Sequence, residues 1–206
     1  MMRRSLVLSA IVLLGVVVLT GLGQQTVSTG LQLQKLLVNE QEVQSAFDST
    51  AWTQQAKVDV NQEPAHTQFS AALIYDNSQT SLLTTLFQFR QENQAHDYFV
   101  SPITAADKTL SRESQDALKK PFAEAVEVKL VKIRLGVRKA LSEDEQQLVL
   151  RFRVGQIVAS YSIRLCIPAH PDAGAMIPYQ CFNEAQLKAG LIKVGQTQLG
   201  ILLNGR

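Results

Sequence analysis

Histidine, cysteine and tryptophan are scarce here: three, two and one in 206 residues. The scarcity excludes much chemistry. His66, His96 and His170 lie far apart, and none is followed two or four residues later by the histidine or cysteine that a metal site would need. There is no GxSxG nucleophile elbow, no phosphate-binding P-loop, no HExxH and no GxGxxG. Glu113 and Asp116, three apart, suit a solvated helical face better than an acid/base pair. The expectation is a protein without catalytic residues, metal or cofactor.

An excess of one charge is also missing. The formal charge of +2 rests on Arg3 and Arg4; the other 18 basic residues balance 18 acidic ones. Nucleic-acid binding, which needs a clear surplus of Lys and Arg to neutralise phosphates, is not expected. With 46% hydrophobic and 18% charged residues, the chain has a globular composition and the length for one sizeable core.

Charge is wholly absent between Arg4 and Lys35. Within that stretch the nineteen residues Ser5 to Gly23 (SLVLSAIVLLGVVVLTGLG) would span roughly 28 Å as a helix, close to the thickness of a bilayer's hydrocarbon core. Two arginines ahead of the run favour a cytoplasmic N-terminus with the rest of the chain outside. Residues 1–23 therefore read as a single transmembrane anchor. The alternative is a cleaved signal peptide, with Leu6 to Leu19 as its apolar region and Gly21-Leu22-Gly23 as the cleavage site, leaving a secreted or periplasmic protein. VLTG resembles the start of a lipoprotein processing box, but Leu22 stands where the lipidated cysteine would be. Residues 24–35 read as a tether and 36–206 as an extracytoplasmic domain.

Outside the cytoplasm, two cysteines in one domain are expected to pair. Cys166 and Cys181 bracket CIPAHPDAGAMIPYQC, and a disulfide there would close a loop of about 15 residues, worth ~3 kcal/mol in the chain-entropy model. With only His170 and Asp172 between them, a zinc site or a cysteine nucleophile is a poorer fit than a staple.

Patterning along the rest of the chain predicts α+β architecture. LLVNEQEVQSAF starts a helix, with Asn39 as N-cap, Glu40 and Glu42 in the first turn, and Val43 and Phe47 on one face. Trp52 is a core or rim anchor. FSAALIY and SLLTTLFQF are strands about the turn Asp76–Gln79, followed by a helix over RQENQAHDYFV that stops at Ser101-Pro102. Ala105 to Lys120 reads as a loop with a short surface helix. The alternation from Val126 to Leu135 slips phase at Leu130-Val131, which suggests a β-bulge or a strand break. An acidic turn, Ser142 to Gln147, precedes LVLRFRVGQIVASYSIRL, a hairpin whose Gly155-Gln156 loop suits a type II′ turn. Asn183 caps a last helix, with Gly190, Gly195 and Gly200 as its weak points. The sum is an antiparallel sheet of about five strands with helices packed on one face. Its other face would be polar, and Lys132, Arg134, Arg151, Arg153 and Arg164 there could contact anionic lipid headgroups or an acidic partner.

The order of LLVNEQEVQSAF, FQFRQENQAHDYF and FRVGQIV behind an apolar N-terminal run resembles extracytoplasmic sensor-like domains, as in bacterial lipoproteins and the extracellular domains of membrane-bound Ser/Thr kinases. The resemblance covers about Leu36 to the end. It implies an antiparallel sheet with a cleft beside it for a small ligand or a partner. One cysteine pair stands where kinase-type domains have two, and no individual binding residue carries over. Together these patterns lead to a non-enzymatic, membrane-anchored accessory or sensor-like protein that binds a partner protein, possibly within a membrane complex. The alternative is a small-ligand-binding module with its cleft near the proline-rich loop.

Overall fold

The computed structural model describes residues 32–55, 63–78, 80–103, 108–109, 118–135, 145–168, 179–181 and 183–204. The apolar run 5–23, His170, Glu113 and Asp116 lie outside them. No helix among the described residues is long and apolar enough to cross a membrane.

In chain order the elements are α1 (Glu40–Phe47), β1 (Thr53–Gln54), β2 (Thr67–Asp76), β3 (Ser81–Phe89), α2 (Glu92–Val100), β4 (Lys108–Thr109), β5 (Glu127–Leu135), β6 (Glu145–Val154), β7 (Ile157–Arg164), β8 (Cys166–Pro168), β9 (Tyr179–Cys181) and α3 (Glu184–Asn204). Strands β1 to β7 form one antiparallel sheet in the order β1-β2-β3-β7-β6-β5-β4, and β8-β9 is a separate ladder. The five long strands are those the alternation predicts; β1 and β4, two residues each, sit at the edges. Glu145 to Gln147, expected in a turn, belong to β6.

Local chemistry explains the elements. Asn39 and Glu42 form a capping box, each side chain accepting from the other's backbone N–H at 3.0 and 2.6 Å, so α1 starts where its acidic first turn meets the helix dipole. Val43 and Phe47 are buried beneath it. In the β6-β7 hairpin Val154 pairs with Ile157 across Gly155-Gln156. Gly155 has φ +54° while Gln156 keeps an ordinary negative φ, as a type II′ turn demands.

Helices cover both faces of the sheet, which corrects the expectation of one. Helices α1 and α3 bury Tyr75, Leu82, Leu86, Leu130, Leu148, Leu150, Phe152, Tyr161 and Ile163 in the main core. On the opposite face α2 lays Ala95, Tyr98 and Phe99 over β3, β6 and β7, where Phe87, Phe89 and Val158 meet it. Val131, Ile133 and Val149 form a further cluster on that second face, with Ile103 against it. The molecule is thus three layers deep.

The same two-sided burial explains the phase slip in β5. Its register with β6 is unbroken from Glu127↔Arg153 to Leu135↔Glu145, so there is neither bulge nor break. Leu130 faces α3's side, while Val131 and Ile133 face the other, and the apolar phase changes because the covered face changes. The sheet's register shift lies instead between Thr67 and Phe69 in β2.

Of the three glycines read as weak points of α3, two serve close packing. Phe47 lies against Gly190, and Leu150 and Phe122 against Gly195; a β-carbon added at Gly200 would have nothing within 4 Å. Gln198, wholly buried on the apolar face of α3, accepts from Val38 N–H at 3.1 Å and donates to Leu36 O at 2.6 Å. Tyr75 Oη donates to Val38 O nearby. These bonds satisfy a buried backbone turn ahead of α1. Leu33 is also in the main core, so the folded unit reaches back at least that far.

Candidate functional site

Two recesses flank the α1/α3 pair. Val38 meets Gln198 at one end of the pair and Phe47 meets Gly190 at the other, so the helices run antiparallel, α1 against the middle of α3. Along their seam lies an open groove of about 780 Å³ lined by Asn39, Gln41, Glu42, Ser45, Ala46, Lys193, Gln196 and Thr197. Hydroxyls and amides dominate it, with one carboxylate and one ammonium. Such a lining can exchange hydrogen bonds with a polar surface, and among the described residues it holds no thiol or imidazole.

The second recess, about 220 Å³, lies at the far end of the pair. Phe47, Trp52 and Leu187 make its apolar wall; Ser49, Asn77, Thr80, Asn183 and Gln186 supply polar groups. The Phe47 and Trp52 rings pack 4.6 Å apart, which fixes the wall. Asn183 Oδ1 accepts from Gln186 N–H at 3.2 Å, capping α3 as expected and holding both residues at the rim. This cavity lies between sheet and helices, two residues along the chain from Cys181, close to the place the sequence suggests for a ligand cleft.

The cations expected on one solvent-facing sheet surface do not share a surface. Arg151 is only 4% exposed, lies beneath the Tyr98 ring at 4.4 Å, and donates to Tyr98 O at 3.1 Å. Arg153, 7% exposed, donates through Nε to Glu127 at 2.6 Å and through Nη1 to Gly155 O at 3.0 Å. Both are therefore buried under α2. Lys132 points the other way and pairs with Glu184 of α3 at 2.7 Å. Arg164 is exposed at the end of β7, and Arg134 stands opposite Gln146 in the β5-β6 ladder. Their polar-looking alternation hides this burial, because Tyr98 and Glu127 come from elsewhere in the chain.

His96 reaches the same carboxylate: its Nδ1 lies 2.9 Å from Glu127 Oε1 and 3.0 Å from Oε2, the oxygen that also accepts from Arg153. Burial alone would raise the Glu127 carboxyl, but the bonds from His96 and Arg153 outweigh it and hold it below the usual range. With both oxygens engaged, the carboxylate acts as a clamp between α2 and the sheet. His66 is exposed in a turn at φ 67°. Among the described residues no group of three or more His, Cys, Asp or Glu side chains is placed to hold a metal. Burial pushes the Tyr161 phenol well above its ordinary range, with Tyr75 and Glu42 adding to the shift.

Cys166 and Cys181 stand directly opposite each other in the β8-β9 register. Opposed residues of an antiparallel pair have Cα atoms about 4.5–5.5 Å apart, within the span a disulfide bridges.

No family model matches the chain, and no curated protein matches it. Among solved structures it is similar to the extracellular domain of PknH from Mycobacterium tuberculosis, at 11% identity and a TM-score of 0.42, over 79% of this chain and 93% of that one. That is a kinase extracellular domain, the class that the three sequence motifs resemble.

Proposed function

We propose that this is a non-enzymatic, extracytoplasmic accessory or sensor-like protein, held by residues 5–23 as a single-pass anchor with its N-terminus in the cytoplasm. Its domain binds a partner protein, within a membrane complex, along the seam between α1 and α3. The observation that carries the proposal is the open groove of about 780 Å³ on that seam. A small-molecule site is typically concave and mostly apolar, whereas this one is broad and hydrophilic, like the polar part of a protein interface. The charge-free run from Ser5 to Gly23 supports the membrane location, and cleavage after it would leave the same domain secreted or periplasmic. For contacts to headgroups or an acidic partner, Arg134 and Arg164 stay candidates; Lys132 pairs with Glu184, and Arg151 and Arg153 are taken up inside the fold.

The test is purification of the full-length tagged protein from its native membrane in mild detergent, with mass spectrometry of what stays bound. The expected result is a stoichiometric protein companion that is lost from the Ser45→Arg/Gln196→Arg double variant, whose changes are both on exposed positions lining the groove. Companion retention in that variant would move the interface elsewhere, and a protein that purifies alone in both forms would sink the partner proposal.

A further inference from the structure

The 220 Å³ cavity has a composition that selects a ligand. None of the eight described residues lining it is charged. An ion entering it would lose hydration without gaining a counter-charge, which costs several kcal/mol or more. The polar lining is amide and hydroxyl, and amides both donate and accept; the groups that answer in kind are hydroxyls and other amides. Trp52, Phe47 and Leu187 give one wall an apolar face suited to the C–H side of a ring.

A second observation points to an occupant. Trp52 is 1% exposed, yet among the described residues it hydrogen-bonds only through its main-chain oxygen, which accepts from Gln44 Nε2 at 2.8 Å. The indole N–H donates to no described residue and is not among the fully buried side-chain atoms without a partner, so it reaches solvent and is available to a ligand as a donor. The volume is below the about 300 Å³ at which pockets for drug-sized ligands begin, so it admits about one ring.

We infer that this cavity binds a small uncharged, hydroxyl-bearing molecule of single-ring size, such as a monosaccharide or cyclic polyol, with Trp52 N–H as one of its donors. The inference stands apart from the partner interface, which occupies the seam on the other side of Phe47.

Trp52 is the chain's only tryptophan, so its emission reports on the cavity directly. Full-length protein, in a detergent without a sugar headgroup, is titrated with D-glucose, N-acetyl-D-glucosamine and myo-inositol. Glutamate, lysine and inorganic phosphate serve as charged probes. A saturable emission change is expected with at least one neutral probe and with none of the charged ones. Gln186→Phe, at an exposed rim position, is expected to weaken that response more than 10-fold, while Gln196→Ala in the seam leaves it unchanged. Should Gln186→Phe not fold, judged by circular dichroism, Ser49→Leu fills the same space. No response to any neutral probe up to its solubility limit overturns the inference. So does saturation by a charged probe, or a neutral response that persists in the filled variant. Loss of the companion protein in the seam variant bears only on the partner proposal, so the two can fail separately.

Discussion

A β-carbon on Gly190 would sit 2.9 Å from Cγ of Phe47 and closer still to the ring's near edge. The ring cannot swing clear, because Trp52 packs on it. Gly190→Ala is therefore expected to destabilise the fold by about 1–3 kcal/mol through overpacking. Gly200 has open space around it, and Gly200→Ala should add about 0.5–1 kcal/mol by lowering the entropy lost on folding. Urea midpoints of the two variants check the pair; equal shifts of either sign would contradict the packing described. In the sequence the two glycines look alike, since each merely interrupts a helical pattern. Only their neighbours across space separate them. Gln198 is a similar case: it is polar at an apolar helical position, and its partners Val38 and Leu36 are 160 and 162 residues away.

At the scale of elements, periodicity is informative where the covered face stays the same along a strand. The β6-β7 hairpin and its Gly155-Gln156 turn are legible because alternation and turn chemistry are local. Strand β5 misleads because its apolar residues switch sides along one straight strand, which imitates the signature of a bulge. The capping box of α1 is half legible: Asn39 as the cap, with Glu42 acting as its reciprocal acceptor only once the turn is formed. In the short β8-β9 ladder Cys166 stands opposite Cys181, and the disulfide expected between them is open to a direct test. In exported protein a thiol reagent applied under denaturing, non-reducing conditions should fail to label either cysteine. Reduction should then lower stability by ~3 kcal/mol. Efficient labelling without reductant would remove the staple.

For the whole molecule, the layer order α1/α3, sheet, α2 depends on long-range contacts. Glu127 joins the layers on one side, taking His96 from α2 and Arg153 from β6. Its carboxyl in the folded protein lies below the ordinary glutamate range. A depressed carboxyl contributes stability that is fully present above the unfolded value and is lost as pH falls through the folded one. The stability gap between the native protein and Glu127→Gln should therefore close progressively as pH falls below about 4.5. Urea denaturation across that range measures it; a gap that widens on acidification would reverse the assignment.

The sequence by itself determined the α+β class, the five long strands, the caps and the hairpin. These follow from composition, from 2.0- and 3.6-residue periods and from turn chemistry, all of which act over a few residues. The tertiary structure alone decided that helices lie on both faces, that Arg151 and Arg153 are buried, that Gly190 and Gly195 are notches, and where the two recesses open. Each of those depends on which distant side chain supplies the facing surface. An arginine alternating with leucines has the same pattern whether water or a tyrosine ring covers it.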